Sequence, residues 1–307
     1  MRVAILDIGT NTVLLLVAES DGGSLRIIRD DHDIARLGEG VDRNRNISEE
    51  AYQRFLSVLR KHLGTIQSLN VDRVAAVATS AMRDAENRDE IIQKTKDDTD
   101  TLIELLSGED ESRWTYSGAV LGMKFESSSP IAVVDIGGGS TEISTGDGRN
   151  FEQGISIDIG AVRITERCFS TSPITKEAAE DARRLIRESL HSKLPTPVHS
   201  SELVAVAGTP TTLAAMHQNL PKFDAAQVHN YRLRRQAVDQ LLDIMLKVDS
   251  QTLLGHFPSV NKSRADILPA GTLILAEVMD YLNADTIRVS TQGLRYGIAL
   301  REFGSIR

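Results

Sequence analysis

Two stretches of the chain share one pattern, a short apolar strand that runs into the tripeptide Asp-Ile-Gly and a tight polar turn. In the first copy the strand covers residues 3–6 and the turn covers 7–12; in the second the strand covers 131–134 and the turn covers 135–141. A further strand pattern begins directly after each turn, so both copies predict a β-hairpin. Because each copy opens about half of the chain, the repeat predicts an internal duplication.

The rest of the chain alternates strand patterns with helical ones. Helical patterns occur at residues 48–63, 87–96, 110–123 and 176–190, and strand patterns occur at 74–78, 102–106 and 203–207. This alternation predicts an α/β protein. The Ser-Ser-Ser-Pro segment at 127–130 is the best linker candidate, so we expect a first lobe at residues 1–126 and a second at 127–307.

The composition is that of an ordinary globular protein, since 41% of the 307 residues are hydrophobic and 25% are charged. The formal net charge of −8 argues against broad binding to nucleic acid, and a polyanionic substrate would need a locally basic site. The apolar run at the N-terminus is too short for a signal peptide, and no stretch approaches the ~18 consecutive apolar residues of a membrane span. We therefore expect a cytoplasmic protein with neither a nucleic-acid nor a membrane partner.

The second turn combines the features of a phosphate-binding loop. Gly137, Gly138 and Gly139 allow the backbone to turn sharply and to bring its amides close to a ligand. Successive amides in such a turn form an anion-binding nest, to which Ser140 and Thr141 add hydroxyl donors. The turn is not a P-loop, because no Gly-Lys-Ser/Thr follows, and it is not a dinucleotide-binding fingerprint, because a strand rather than a helix comes next.

Carboxylates flank both turns. Asp135 ends the strand before the second turn and Glu142 follows that turn, so both can hold Mg²⁺, or Mn²⁺, directly or through water. Asp7 takes the corresponding place before the first turn. The first turn offers these residues to a phosphate: Gly9, Thr10, Asn11 and Thr12. An ordinary hairpin would explain one such turn, but two copies favour phosphate binding, with two facing loops that clamp a phosphate chain.

Taken together, the two motifs resemble the first and second phosphate motifs of the exopolyphosphatase and guanosine pentaphosphatase (Ppx/GppA) family. Further segments match in the family's order over essentially the whole chain: Thr-Ser-Ala-Met-Arg at 79–83, Ser-Gly-Glu-Asp-Glu-Ser-Arg at 107–113, Ile-Gly-Ala-Val-Arg at 159–163, Arg-Ala-Asp at 264–266 and Gly-Leu-Arg-Tyr-Gly at 293–297. The resemblance implies a duplicated actin-like ATPase fold of the ribonuclease H type. It implies two lobes with a cleft between them, and it is compatible with a last helix that packs back on the first lobe.

The resemblance also implies roles for individual residues. Glu111 matches the catalytic base that activates the attacking water, and Arg83 matches an arginine that contacts the departing phosphate. Asp135 and Glu142 match acidic positions near the metal and the water. From the residues alone, a charge at a helix start is the better interpretation of Glu111, and a solvated or salt-bridging arginine is the better interpretation of Arg83. Only the resemblance to the family motifs favours catalytic roles for these two residues. Three further arginines either line the cleft or form structural ion pairs: Arg163, Arg264 and Arg295.

The resemblance leaves three functions open. The first is Mg²⁺-dependent removal of the terminal phosphate of inorganic polyphosphate, with water activated by Glu111. The second is hydrolysis of the 5′-phosphate of guanosine pentaphosphate (pppGpp), and the third is a sensor that binds a phosphate chain or nucleotide without hydrolysis. Intact Glu111, Arg83, Asp135 and Glu142 argue against the sensor.

A departure from the family pattern bears on the substrate. Residues 207–214 are expected to form a third loop, in which Ala207 replaces a family glycine and Pro210 stiffens the backbone. In related kinases this region meets the nucleoside, so the change favours polyphosphate over a guanosine nucleotide. The sequence is compatible with a homodimer.

Overall fold

The chain forms two compact units. The computed structural model describes residues 1–21, 24–125, 130–196, 198 and 200–304. The first unit comprises Met1–Gly118 together with Leu294–Arg307, and the second comprises Ala119–Gly293. The last helix of the chain therefore belongs to the first unit.

The first unit ends at Gly118 rather than at residue 126. The chain after this point is bonded within the second unit, where the Ser290 hydroxyl donates to the carbonyl oxygen of Ala119 at 3.0 Å. Of the expected linker at 127–130, all but the last residue lie outside the described part of the chain.

A five-stranded sheet forms the centre of the first unit. With elements numbered along the chain, its strands are β1 (Arg2–Ile8), β2 (Thr12–Asp21), β3 (Ser24–Ile34), β4 (Arg73–Ala78) and β5 (Ile103–Leu105). The spatial order is β3-β2-β1-β4-β5. Strand β2 is antiparallel to both of its neighbours, β1 and β3, whereas β4 pairs in parallel with β1 and β5 pairs in parallel with β4. The helices of this unit are α1 (Val41–Asn44), α2 (Glu49–Ser68), α3 (Ser80–Asp84), α4 (Arg88–Thr99), α5 (Gly108–Ala119) and α13 (Leu294–Glu302).

A six-stranded sheet forms the centre of the second unit. Its strands are β6 (Ile131–Ile136), β7 (Thr141–Gly146), β8 (Phe151–Ile157), β9 (Glu202–Val206), β10 (Arg232–Arg234) and β11 (Thr286–Val289), in the order β10-β11-β9-β6-β7-β8. The helices are α6 (Ala161–Cys168), α7 (Lys176–Lys193), α8 (Gly208–His217), α9 (Ala225–Val228), α10 (Arg235–Lys247), α11 (Ser250–His256) and α12 (Leu268–Tyr281), with a 3₁₀ turn at Lys262–Arg264.

The two sheets repeat one topology. Read from β8, the second sheet runs β8-β7-β6-β9-β11, which is the arrangement β3-β2-β1-β4-β5 of the first, with β10 added as an antiparallel edge strand. In each sheet three antiparallel strands are followed by parallel ones. The prediction of a duplicated α/β fold of the actin-like ATPase and ribonuclease H type is therefore confirmed.

Two long helices begin where the sequence predicts them, because each has a hydroxyl at its N-cap. The Ser48 hydroxyl accepts a hydrogen bond from the Ala51 amide at 3.2 Å at the start of α2, and Thr175 accepts from Ala178 at 3.2 Å at the start of α7. Such caps satisfy amide groups that have no acceptor within the helix.

The central helix of the second unit, α12, is buried on all sides. Its one buried carboxylate, Glu277, accepts hydrogen bonds from Arg183 at 2.7 Å and from Arg187 at 2.5 Å, so that the charge is paired. Although α12 is apolar, neither it nor any other helix in the described residues is long and apolar enough to cross a membrane.

The expected third loop is wrong, because helix α8 already begins at Gly208. The hydroxyls of Thr211 and Thr212 donate back to the carbonyl oxygens of Ala207 and Gly208, at 2.8 Å and 2.6 Å. Pro210 fits in the first turn, where amide groups have no helical acceptor, so it does not stiffen a loop.

Ala207 enters α8 with an unfavourable backbone conformation, since its φ is 74° and its ψ is −169°. This region favours glycine, and a side chain there costs about 1–3 kcal/mol. We expect Ala207→Gly to raise the free energy of unfolding by about 1 kcal/mol, after the entropy cost of glycine is subtracted. Chemical denaturation measures the change, and Ala215→Gly within α8 is the control, which should lose about 1 kcal/mol. Equal losses in both variants would contradict strain at Ala207.

Candidate active site

The two Asp-Ile-Gly turns have the same geometry. The Gly9 amide donates to the Thr12 carbonyl at 2.9 Å, and the Gly137 amide donates to the Ser140 carbonyl at 3.0 Å. Each turn connects adjacent antiparallel strands, β1 to β2 and β6 to β7. The sequence repeat therefore corresponds to one hairpin built twice.

The second turn is held by the start of helix α6. Its three glycine carbonyls accept hydrogen bonds from this segment: Ala161 N to Gly137 O at 2.9 Å, Val162 N to Gly138 O at 2.8 Å, and Arg163 Nε to Gly139 O at 2.7 Å. The contact is close, because a Cβ on Gly160 would lie 2.4 Å from the Gly138 oxygen and 2.5 Å from the Gly139 nitrogen. The loop conformation therefore depends on a glycine at position 160.

These bonds fix the direction of the loop amides. In a trans peptide the N–H group points opposite to the carbonyl of the same unit. Since three successive carbonyls face α6, the N–H groups of Gly138, Gly139 and Ser140 point away from it, as in an anion-binding nest. Thr141 contributes differently, because it is fully buried and its hydroxyl donates to the Ile159 carbonyl at 2.6 Å.

The two carboxylates beside the second turn form a cross-strand pair. Asp135 on β6 lies directly opposite Glu142 on β7, so both side chains project from one face of the hairpin. Glu142 is buried, and its Oε1 accepts a hydrogen bond from the Ser156 hydroxyl at 2.6 Å. Like charges directly opposite each other are destabilising, and a cation that binds between them removes this repulsion.

In the first unit the structure brings Arg83 and Glu111 together. Arg83 Nη1 donates to Glu111 Oε2 at 2.9 Å and to the Leu106 carbonyl at 3.1 Å. Glu111 is 7% exposed, and burial raises its pKa above the ordinary value, although Arg83 and a hydrogen bond from Thr79 oppose the shift. Glu111 is therefore a buried carboxylate that contacts Arg83. The alternative role, a charge that stabilises the first turn of α5, does not account for this contact.

Asp7 belongs to the same electrostatic environment. Burial raises its pKa to about 7, Arg295 lowers it and the neighbouring charge of Glu111 raises it. Arg295 is itself held by Asp30, to which it donates two hydrogen bonds of 3.0 Å. Asp7 and Glu111 are thus two buried carboxylates of one unit, each close to an arginine.

The first turn is supported by the segment after β3. The amides of Ala35 and Arg36 both donate to the Asn11 carbonyl at 3.0 Å, and the Gly38 amide donates to Thr10 at 2.8 Å. Within the described residues, Asn11 Nδ2 is buried and has no hydrogen-bond partner. A donor left unsatisfied in this way is consistent with a binding loop.

The three arginines that the sequence left open have different surroundings. Arg163 supports the Gly139 carbonyl, and Arg295 pairs with Asp30. Arg264 packs on the start of α8, since a Cβ on Gly208 would lie 1.4 Å from its Nη1.

Sequence reasoning missed several contributors. Gly160 lies inside the matched Ile-Gly-Ala-Val-Arg segment, so its importance could have been inferred from that motif, as could that of Thr79 and Ser80 from theirs. Ser156, the partner of Glu142, lies in an unremarkable strand and gave no signal.

Two of the predicted metal ligands, Asp135 and Glu142, lie opposite each other on one hairpin. No group of three or more His, Cys, Asp or Glu side chains in the described residues is arranged to hold a metal ion. Mg²⁺ in phosphate-processing sites commonly takes one or two carboxylates and fills its other positions with phosphate oxygens and water. The Asp135–Glu142 pair meets that smaller requirement.

Comparisons by sequence and by structure point to the same family. The model of the Ppx/GppA phosphatase family matches residues 16–305. Exopolyphosphatase 2 from Mycobacterium tuberculosis is 34% identical over 316 residues, covering 97% of this chain and 98% of that protein. A bifunctional 3-dehydroquinate synthase/phosphatase from Fusobacterium nucleatum is 33% identical over 298 residues, but this chain spans only 44% of its length. The crystal structure of the Aquifex aeolicus member of the Ppx/GppA family aligns with a TM-score of 0.84 at 30% identity, covering 99% of this chain and 98% of that one.

Proposed function

Since this chain belongs to the Ppx/GppA phosphatase family and is a phosphoanhydride hydrolase of the exopolyphosphatase type, we propose that it removes the terminal phosphate of inorganic polyphosphate as orthophosphate. The single observation that carries this proposal is the buried Glu111 carboxylate beside Arg83. Hydrolysis needs a base for water and positive charge for the phosphoryl oxygens, and this pair offers both.

Glu111 acts as the general base. A base works best when its pKa lies near the operating pH, and burial moves the pKa of Glu111 upward from its ordinary value. Arg83 opposes this rise in pKa, because its positive charge and its hydrogen bond favour the ionised carboxylate. The planar guanidinium of Arg83 also offers donors to the oxygens of the departing phosphate.

The glycine loop of the second unit binds phosphate oxygens. Its three N–H groups are aimed by the carbonyl contacts with α6 before any ligand arrives, so binding does not have to pay for ordering the loop. The first turn binds phosphate in the same way through Thr10 and Asn11, both of which are buried.

The carboxylates fit a divalent cation. Asp135 and Glu142 would hold Mg²⁺ or Mn²⁺, because the hard oxygen ligands of this cross-strand pair suit these ions and relieve their own repulsion by binding one. Asp7, the third predicted ligand, is a buried carboxylate of the first unit. When bound, the ion supplies positive charge to the phosphate oxygens.

Three further expectations are part of the proposal. The protein acts in the cytoplasm and forms a homodimer; sedimentation of the purified protein measures the second. Polyphosphate is preferred to pppGpp. Helix α8 begins at Gly208 and Arg264 packs on its start, whereas in related kinases this region is a loop that meets the nucleoside.

A substrate panel tests the function. Purified protein should release orthophosphate from tripolyphosphate and from long polyphosphate in the presence of Mg²⁺, more slowly from pppGpp, and not at all after chelation of divalent ions. Higher activity on pppGpp would show that polyphosphate is not the preferred substrate, while the proposed phosphoanhydride hydrolysis would stand. Tight binding of polyphosphate without release of phosphate would instead show a sensor.

A further inference from the structure

Several buried polar side chains of the first unit have a hydrogen-bonding atom without a partner among the described residues, and two of them, Asn11 and Ser80, lie in or beside the first turn. Within the described residues, Ser80 Oγ and Asn11 Nδ2 have no hydrogen-bond partner, although Ser80 is only 3% exposed and Asn11 only 6%. Buried polar groups of this kind are rare in folded proteins, and each one calls for a specific explanation. Sequence reasoning assigned Asn11 to phosphate binding but gave Ser80 no role.

The backbone places Ser80 beside the first turn. Strands β1 and β4 run parallel with Ile8 opposite Ala78, and the Thr79 amide donates to the Ile8 carbonyl at 3.1 Å. The chain segment that follows β4 therefore runs alongside the turn that follows β1. Gly38 confirms the proximity, because a Cβ there would meet the Thr10 methyl at 2.3 Å and Ala81 Cβ at 2.9 Å.

Ser80 also lies next to the proposed base. Its neighbour Thr79 hydrogen-bonds the Glu111 carboxylate. Arg83, on the same short helix, donates to Glu111 at 2.9 Å. The unsatisfied hydroxyl is thus bracketed by two residues that both contact Glu111.

The chemistry of the two groups selects their ligand. The Asn11 NH₂ group can only donate, and the Ser80 hydroxyl has a proton to donate. A ligand that satisfies both must be rich in acceptors, and a phosphoryl group carries acceptor oxygens and no donor when ionised. We propose that Ser80 Oγ, together with Asn11 Nδ2, hydrogen-bonds the phosphoryl group that the water activated by Glu111 attacks. This inference rests on the proposed function and adds Ser80 to its substrate-contacting residues.

The test is Ser80→Ala, measured in activity, in ligand binding and in stability. The value of kcat/KM for tripolyphosphate should fall by roughly 10- to 100-fold, the size of a hydrogen bond to a charged group. The melting temperature should stay equal or rise, because the removed hydroxyl has no partner in the unliganded protein. In a Glu111→Gln background, the affinity for tripolyphosphate measured by calorimetry should fall by a similar factor. Ser80→Cys, which keeps a weak donor, should be intermediate.

Thr95 provides the matched control. It is an equally buried hydroxyl in the same unit, but it donates to the Ile91 carbonyl at 2.7 Å. Thr95→Ala should lower the melting temperature and leave kcat/KM unchanged, the reverse of the pattern at Ser80.

The outcomes separate this inference from the proposed function. Wild-type kcat/KM and affinity in Ser80→Ala would overturn the inference while leaving the hydrolase intact. A lower melting temperature with unchanged affinity would assign Ser80 a structural role and would also overturn it. If the wild type released no phosphate, the proposed function would fail, and weaker orthophosphate binding by Ser80→Ala in calorimetry would still support the contact.

Discussion

Replacing Glu111 with glutamine should lower the rate of phosphate release by at least about 10²-fold, the usual contribution of a general base. Glutamine keeps the size of the side chain and can still accept a hydrogen bond from Arg83, but it cannot take a proton from water. The variant should fold and should bind polyphosphate, since the phosphate-binding groups remain. Initial rates on tripolyphosphate at saturating concentration measure the effect, and calorimetry measures the binding.

The control for this variant is Glu109→Gln, which removes a carboxylate from the same turn of α5. Glu109 is exposed and forms a 3.6 Å surface pair with Arg113, so its loss should leave the rate within a few-fold of wild type. A rate for Glu111→Gln within a few-fold of wild type would remove Glu111 from the mechanism. Equal losses in the two variants would point to general electrostatics of the helix start instead of a base.

The second large effect is expected at Gly160. A Cβ at this position would lie 2.4–2.5 Å from the backbone of Gly138 and Gly139, and neither backbone can give way without moving the loop. The φ of Gly160 is −145°, which alanine adopts without strain, so the effect is one of contact alone. We expect Gly160→Ala to reduce kcat/KM by about 10²-fold, because displacing a substrate-positioning group by about 1 Å costs that much.

Gly255 in α11 is the matched control within the same unit. A Cβ there would meet nothing within 4 Å, so Gly255→Ala should keep full activity and gain stability from the better helix former. Gly160→Ala activity equal to that of Gly255→Ala would show that the loop tolerates displacement or does not bind substrate. A crystal structure of Gly160→Ala would show whether residues 137–140 have moved.

Much of the fold could be predicted because the two hairpins share a recognisable sequence pattern, an apolar strand followed by Asp-Ile-Gly. An apolar strand before Asp-Ile-Gly fixes β1 and β6, and the antiparallel strands β2 and β7 follow from the turn. Strand β3 was not predicted, because residues 29–33 form a run of charged and polar side chains that conceals the strand pattern, and charges of this kind protect an edge strand from further pairing.

The site was predicted unevenly for a physical reason. Residues that act through their own side chains, such as Glu111 and Arg83, stand out in motifs, and the structure brings these two together. Gly160 and Ser156 act through contacts with other site residues, which depend on a pairing of distant segments that periodicity does not reveal. The loop predicted at residues 207–214 was wrong because Pro210 lies in the first turn of α8, and the sequence does not distinguish such a proline from one in a loop.

The central claim is that a water molecule attacks the terminal phosphorus of a phosphate chain, and isotope transfer tests this most directly. Tripolyphosphate is hydrolysed in ¹⁸O-labelled water with Mg²⁺, and the orthophosphate and pyrophosphate formed are analysed by mass spectrometry. The proposed reaction places one ¹⁸O atom in each orthophosphate and none in pyrophosphate, and Glu111→Gln lowers the amount of labelled orthophosphate formed in a given time by at least about 10²-fold. Label in pyrophosphate would mean attack on the inner phosphorus, and it would contradict terminal phosphate removal by this protein.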